Sequence, residues 1–312
     1  MKIVHFSAEC YPVAKVGGLG DVAGALPKYQ NILGHDASVI MPYYKTKFVE
    51  NNAFKTVFTA SVTMHHAELP FQILKEVDGK LGFELYLVHI PYLLDRDKIY
   101  GYKDDTERFI AYQKAALDFI LNWAEKPDIV HCHDHHSGLV PFMIAHGMKY
   151  AILNQIPTVL TIHNGQYQGW FDTHKINLLP YFSQVFFGLL EWGGKINPLA
   201  SAIKCAWRVT TVSPSYLEEI SLFSNGLESL LQAERDKSLG ILNGIDTTVW
   251  NPETDEMLYK NYSIKTHIEG KEANKNFICE EFGLNPTKPL FAFIGRLVGS
   301  PAFTTSVYRK LQ

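Results

Sequence analysis

Short, unbroken apolar runs separated by helix-length segments constrain this chain more than any other feature. Ile3-Val4-His5-Phe6 opens the series and is followed by a glycine-rich loop and a helical pattern over 19–33. Ala37-Ser38-Val39-Ile40-Met41 comes next and stops at Pro42. Further strand-like runs fall at 128–131, 158–162 and 208–212, set apart by helical segments that include one over 104–123. Strands that are apolar throughout are covered on both faces, and strands joined by helices run parallel. The expected fold is therefore α/β, a mainly parallel sheet with helices on both faces. Three more β-rich runs, near 56–63, 70–77 and 83–89, read as antiparallel.

Composition narrows the functional classes. Charged residues are 20% and hydrophobic residues 46% of the 312, ordinary values for a soluble globular chain. A formal charge of −3 gives no electrostatic reason to expect nucleic acid. Cys10, Cys132, Cys205 and Cys279 are scattered and read as free thiols in a reducing compartment, so a cytoplasmic location is expected. The first residues, Met1 to Glu9, carry one basic group and no long apolar stretch, unlike a signal peptide. The most apolar long window, 178–192, is broken by Ser183, Gln184 and Glu191 and is too short and polar to span a bilayer.

Turn-rich segments, Asn251-Pro252-Glu253-Thr254-Asp255 and Asn285-Pro286-Thr287-Lys288-Pro289, flank one helix at about 271–282. The expected organisation is a first domain over 1–245, a connector over 246–288 and the start of a second domain over 289–312. Leu290-Phe291-Ala292-Phe293-Ile294-Gly295 reads as a buried strand of that second domain. Only sixteen residues follow Arg296, too few to supply neighbouring strands and covering helices, so the chain is expected to break off there.

Four loops carry residues suited to chemistry. Lys15-Val16-Gly17-Gly18-Leu19-Gly20-Asp21 leads from the first strand into a helix, where amides, the helix N-terminus and Lys15 can meet a phosphate. A solvated turn is the plain alternative. Gly18, Gly20 and Ala23 also fit a dinucleotide spacing, but ten residues separate Ser7 from Gly18 and no acidic residue closes the second strand. His131-Cys132-His133-Asp134-His135-His136 ends another strand, where ligands of open α/β sheets gather. It admits an active-site turn built on Asp134, a polar structural turn, or a zinc hydrolase using His131 and His133. For the last, Asp134 stands one residue early, which reverses its side-chain direction on extended chain. Thr161-Ile162-His163-Asn164-Gly165-Gln166-Tyr167 offers neutral donors and acceptors suited to sugar hydroxyls. Asn243-Gly244 marks a tight turn, and Arg296 at a strand end suits a phosphate.

With these loops in order, the chain resembles the bacterial glycogen synthase and plant starch synthase family from Met1 to about Leu297. Beyond the loops above, the resemblance is carried by Ser7-Ala8-Glu9-Cys10-Tyr11-Pro12, Pro127-Asp128-Ile129-Val130, Tyr167-Gln168-Gly169, Thr211-Val212-Ser213-Pro214 and Leu242-Asn243-Gly244-Ile245-Asp246. Trp250-Asn251-Pro252-Glu253-Thr254-Asp255 completes it. The resemblance implies a GT-B architecture of two Rossmann-like domains. It also implies transfer of glucose from ADP-glucose to the non-reducing 4-OH of an α-1,4-glucan, with retention and without a metal or other cofactor. By position, Lys15, Gly17, Gly18 and Asp21 should meet the donor's phosphates or the adjoining sugar, and Asn243 should lie near the donor. Asp134 and His163 should line the sugar and acceptor subsite. Arg296 matches the arginine that neutralises the departing diphosphate. ADP-glucose and an α-1,4-glucan are thus the implied partners, with no membrane or nucleic acid.

Two departures accompany the resemblance. His135 stands where the family carries an aromatic residue, and Pro301 where it carries a second lysine. The tail, Val298 to Gln312, matches nothing in the family, so this chain is expected to be poorly active or inactive alone. A non-catalytic glucan-binding module is the alternative, motivated by 16 Tyr, 19 Phe and 5 Trp.

Overall fold

The computed structural model of the protein describes residues 1–292. Eleven strands are formed among them, β1 Lys2–Phe6, β2 Asp36–Pro42, β3 Phe54–Met64, β4 Ala67–Glu76, β5 Glu84–His89, β6 Ile129–His133, β7 Thr158–Ile162, β8 Glu191–Trp192, β9 Lys195–Ile196, β10 Arg208–Thr211 and β11 Ser238–Gly240. The α-helices are α1 Gly18–Ile32, α2 Lys47–Asn51, α3 Asp105–Leu121, α4 Val140–His146, α5 Phe187–Leu190, α6 Pro198–Cys205, α7 Pro214–Leu222, α8 Glu228–Ala233 and α9 His267–Glu281. Nine strands make one sheet in the order β11-β10-β7-β6-β1-β2-β5-β4-β3, and β8 pairs with β9 in a separate hairpin.

From β11 to β5 every neighbouring pair is parallel, while β4 and β3 are antiparallel. The parallel α/β expectation and the antiparallel reading of the three runs both match this sheet. Burial follows the strand period of two. On β2, Val39 and Met41 enter one core with Leu85 and Leu87 of β5. Ile40 enters the other, with Tyr86 and Val88. Helices therefore cover both faces, as continuous apolar strands require. Helix α1 buries Leu19, Gly20, Ala23 and Pro27 on one side. A Cβ on Gly24 would lie 2.3 Å from the Tyr11 carbonyl oxygen, so glycine there lets the segment after β1 lie against the helix. Helix α3 is buried without interruption from Arg108 to Ile120. Its Arg108 is held by the Leu93 and Ile99 carbonyls and by Asp105 at 2.5 Å.

Element ends differ from expectation in ways that matter. The strand expected over 128–131 runs on to His133, because His133 pairs with Thr161 across the parallel ladder. The helix expected over 271–282 spans His267–Glu281. Strand β11 was not foreseen. Its three residues, Ser238-Leu239-Gly240, are too few and too mixed to show a pattern. Of the strand expected over 290–295, residues 290–292 carry no regular structure and the rest lies outside the described residues, as do Arg296, Pro301 and the tail.

The chain divides into two compact units, Met1–Asp246 and a second beginning at Thr247. Within the second, Asn251 closes a turn onto Glu253, Thr254 and Asp255. Tyr259 stacks on Phe277 of α9 with ring centroids 4.6 Å apart. No helix among the described residues is long and apolar enough to cross a membrane.

Candidate active site

In the first unit β1 is the topological switch. The chain builds β2 and β5 on one side of it and β6, β7, β10 and β11 on the other. Ligands of open parallel sheets bind outside the strand carboxyl ends at such a point, where neighbouring loops diverge. The loops after β1, β6 and β7 emerge beside this point, and the loop after β11 at the far end of the same carboxyl edge, four strands from β1.

Asp134 follows β6 directly. Its N–H donates to the Thr161 carbonyl at 3.0 Å, so the ladder to β7 continues through it. Its backbone then turns sharply, with φ 55° and ψ −173°. A side-chain-bearing residue there costs about 1–3 kcal/mol, strain that collects at functional sites. The Ser137 hydroxyl braces the turn by donating to the His133 carbonyl at 2.9 Å while accepting the His133 N–H at 2.8 Å. The strained turn aims the carboxylate at the end of β7. There Oδ1 accepts the N–H of His163 at 2.7 Å and that of Asn164 at 3.3 Å. Burial pushes this carboxyl up to about 7, because lost hydration outweighs the two amide donors and the charge of Glu9 adds to the rise. Asp134 and His163, singled out from separate loops, are therefore joined. Burial lowers the His163 imidazole to about 4.

The glycine-rich loop is also organised around a carboxylate. Glu9 is buried, and its Oε2 accepts the N–H of Val16 at 2.6 Å and of Gly17 at 2.9 Å. Its Oε1 accepts the Tyr100 hydroxyl at 2.7 Å. The Gly17 amide, expected to face a phosphate, thus faces an internal anion here. A nest of backbone amides at a helix start attracts any negative charge, and Glu9 is the nearest one. Gly18 borders open space, with nothing within 4 Å of where a Cβ would stand. Lys15 reaches Asp21 at 2.6 Å and lies over the Tyr11 ring, with both charged side chains about a third exposed. Asn243 follows β11 and is exposed, its N–H donating to Val212 at 3.2 Å.

Three imidazoles, His5, His131 and His133, place ligand atoms within 4.8 Å of one another. Their geometry does not favour the zinc-hydrolase reading. The His131 and His133 rings stack 4.4 Å apart at 19°, so their nitrogens project side by side rather than toward one centre. Both nitrogens of His5 and of His133 already have partners. Asp134 is turned to β7 rather than to this cluster. His135 packs against Gly169, and His136 stacks on Tyr100 at 4.6 Å, which ties the Asp134 turn to the ring that holds Glu9.

Glu9, Tyr100, His5 and Gln30 received no role from the sequence. A signal existed for two of them. Glu9 is an acid just ahead of a glycine-rich helix start, and His5 is a polar residue in an otherwise apolar buried strand. Tyr100 and Gln30 reach their partners only through the fold.

Residues 2–233 match a family model described as the starch synthase catalytic domain. The glycogen synthase of Flavobacterium johnsoniae is 54% identical over 297 residues, covering 95% of this chain and 63% of that protein. The glycogen synthase of Acholeplasma laidlawii is 36% identical, with the same 95% and 63% coverage. The chain thus spans about 63% of the length of these curated relatives. Among solved structures, the catalytic domain of starch synthase IV from Arabidopsis thaliana, bound to ADP and acarbose, superposes with a TM-score of 0.87 at 31% identity. The match covers 99% of this chain and 66% of that one.

Proposed function

Because this chain belongs to the glycogen and starch synthase family, we propose that it serves a hexosyltransferase that moves glucose from ADP-glucose to the 4-OH at the non-reducing end of an α-1,4-glucan, with retention. The observation that carries the reading is the buried Asp134 carboxyl, strained in its backbone and held by the His163 and Asn164 amides at the switch point of the sheet. The ADP in the starch synthase IV complex is what ADP-glucose becomes once its glucose departs, and supports the donor.

The chemistry needs fixed charge at both ends of the breaking bond. Lys15, at the open side of the glycine-rich loop, meets the departing diphosphate, and Gly17, Gly18, Asp21 and Asn243 border the donor. Arg296, outside the described residues, keeps its role at the same diphosphate as part of this proposal. Asp134 stabilises positive charge on the sugar or orients the acceptor hydroxyl. With its carboxyl near 7 it can hold or release a proton at neutral pH. His163 lines the sugar. The four unpaired cysteines, three of them buried, support a reducing, cytoplasmic setting.

The test is incorporation of labelled glucose from ADP-glucose into glycogen, with Asp134→Asn as control and mobility in a glycogen-containing gel alongside. Label transfer that disappears in the variant supports the proposal and overturns the expectation that the chain is inactive alone. No transfer together with unretarded mobility refutes it. Retardation without transfer favours the glucan-binding module instead.

A further inference from the structure

Four side chains form a line that ends at His163. His5 Nε2 lies 2.7 Å from Oε1 of Gln30 on α1, and His5 Nδ1 lies 3.0 Å from His133 Nε2. His133 Nδ1 lies 2.9 Å from His163 Nε2. Each contact needs one proton and one lone pair, and a neutral imidazole carries one of each. An amide oxygen only accepts. His5 therefore carries its proton on Nε2 and donates to Gln30. Its Nδ1 is then a lone pair, so His133 donates from Nε2, and His163 in turn donates from its own Nε2. One amide sets three tautomers in succession. In this arrangement an imidazolium at His5 or His133 would bring two donors face to face, and burial disfavours the charged form at all three rings.

The fold explains why the line exists. His5 pairs with His131 across the β1–β6 ladder, and His133 with Thr161 across the β6–β7 ladder. The period of two puts these residues on one sheet face, opposite the core that holds Val4, Phe6, Val130 and Cys132. His131 flanks the line rather than joining it, since its Nε2 is 2.6 Å from Thr161 Oγ1. His163 Nδ1 has no hydrogen-bond partner among the described residues, while the His163 N–H is held by Asp134.

We propose that Gln30, His5 and His133 are positioning residues that fix His163 as its Nε2–H tautomer, so that Nδ1 is presented as an acceptor for a sugar hydroxyl. Turning the Gln30 amide over would reverse every bond and make Nδ1 a donor. The sugar half of this proposal rests on the function proposed above, and the tautomer half does not.

The experiment is a long-range ¹H–¹⁵N correlation spectrum of the full chain carrying ring-¹⁵N histidine, its 13 histidines assigned by single substitutions. His5, His133 and His163 should each show one neutral Nε2–H tautomer. An Nδ1–H tautomer, a mixture or a charged ring at His163 would overturn the proposal. In Gln30→Met, which keeps shape and removes the acceptor, His163 should split into two tautomers. With half the molecules competent, kcat/KM for glucosyl transfer should fall about twofold. A single unchanged His163 tautomer in that variant also overturns the proposal. Adding maltoheptaose should shift His163 Nδ1. Transfer activity without that shift overturns the sugar half alone. Absence of both activity and shift, with the tautomers intact, faults the reading of the function and leaves the relay standing.

Discussion

Replacing Asp134 with Asn should stabilise the protein in alkaline solution while abolishing glucosyl transfer. The folded carboxyl is raised from 3.8 to about 7 by burial. A carboxyl whose folded value is raised favours the folded state while protonated, and this contribution is lost as pH climbs from the unfolded value through the folded one. Each pH unit by which the folded and unfolded values differ is worth about 1.4 kcal/mol. At pH 8.5 the wild type therefore bears about 4 kcal/mol of cost from this group, and at pH 5.5 about 2 kcal/mol. Asn carries no charge, and its Oδ1 can accept the same two N–H groups from His163 and Asn164. The variant should therefore gain about 2 kcal/mol more over the wild type at pH 8.5 than at pH 5.5. Histidines that titrate in the same window occur in both proteins and cancel in this comparison. Equilibrium urea unfolding followed by tryptophan fluorescence suits the measurement, because Trp123, Trp170, Trp192 and Trp207 lie in the first unit and only Trp250 in the second. An equal difference at both pH values would refute the argument that Asp134 is a desolvated carboxylate.

Lys15→Gln should change stability by less than about 1 kcal/mol, since its pair with Asp21 is solvated. It should weaken ADP about 10- to 100-fold through the lost charged contact. Calorimetric titration with ADP checks this, and an unchanged Kd would remove Lys15 from the diphosphate. Glu9→Ala strips the Val16 and Gly17 amides and the Tyr100 hydroxyl of their acceptor, and should cost about 1–3 kcal/mol in urea unfolding. Gly24→Ala sets a methyl 2.3 Å from a backbone oxygen that cannot swing aside. Its melting temperature should drop by the equivalent of about 1–3 kcal/mol or more, and an unaltered melt would contradict the close approach. His163 is lowered from 6.5 to about 4 in the folded state, so its contribution is intact above 6.5 and disappears as pH falls toward 4. His163→Gln should flatten the acid side of the stability profile by about 3 kcal/mol over that window.

The architecture was legible because its signals are local. A run such as Ala37 to Met41 announces a strand covered on both faces whatever its neighbours are, and glycines between a strand and a helix announce a turn that approaches something. Asp134 and His163 were legible as strand-end polar groups. That one accepts the other's N–H was not, since they are 29 residues apart and meet only through the β6–β7 pairing. Glu9 was visible as a residue and silent as a partner. Its place in the amide nest depends on how the segment after β1 folds back over Gly24. The Asp134 backbone strain and its raised carboxyl have no counterpart in composition, because both come from burial and from the direction of the turn.

The amino-acid order alone determined the longer strands, that they form a mainly parallel sheet with two covered faces, and which loops carry polar chemistry. Each of these follows from side-chain pattern within a few residues. Strand order and register were decided in three dimensions, and with them the row of His5, His131, His133, Thr161 and Thr210 across four adjacent strands. A parallel pair joins residues through long crossovers, and a slip of one position would turn that whole row into the opposite core. Only the assembled sheet makes isolated histidines into a hydrogen-bonded line.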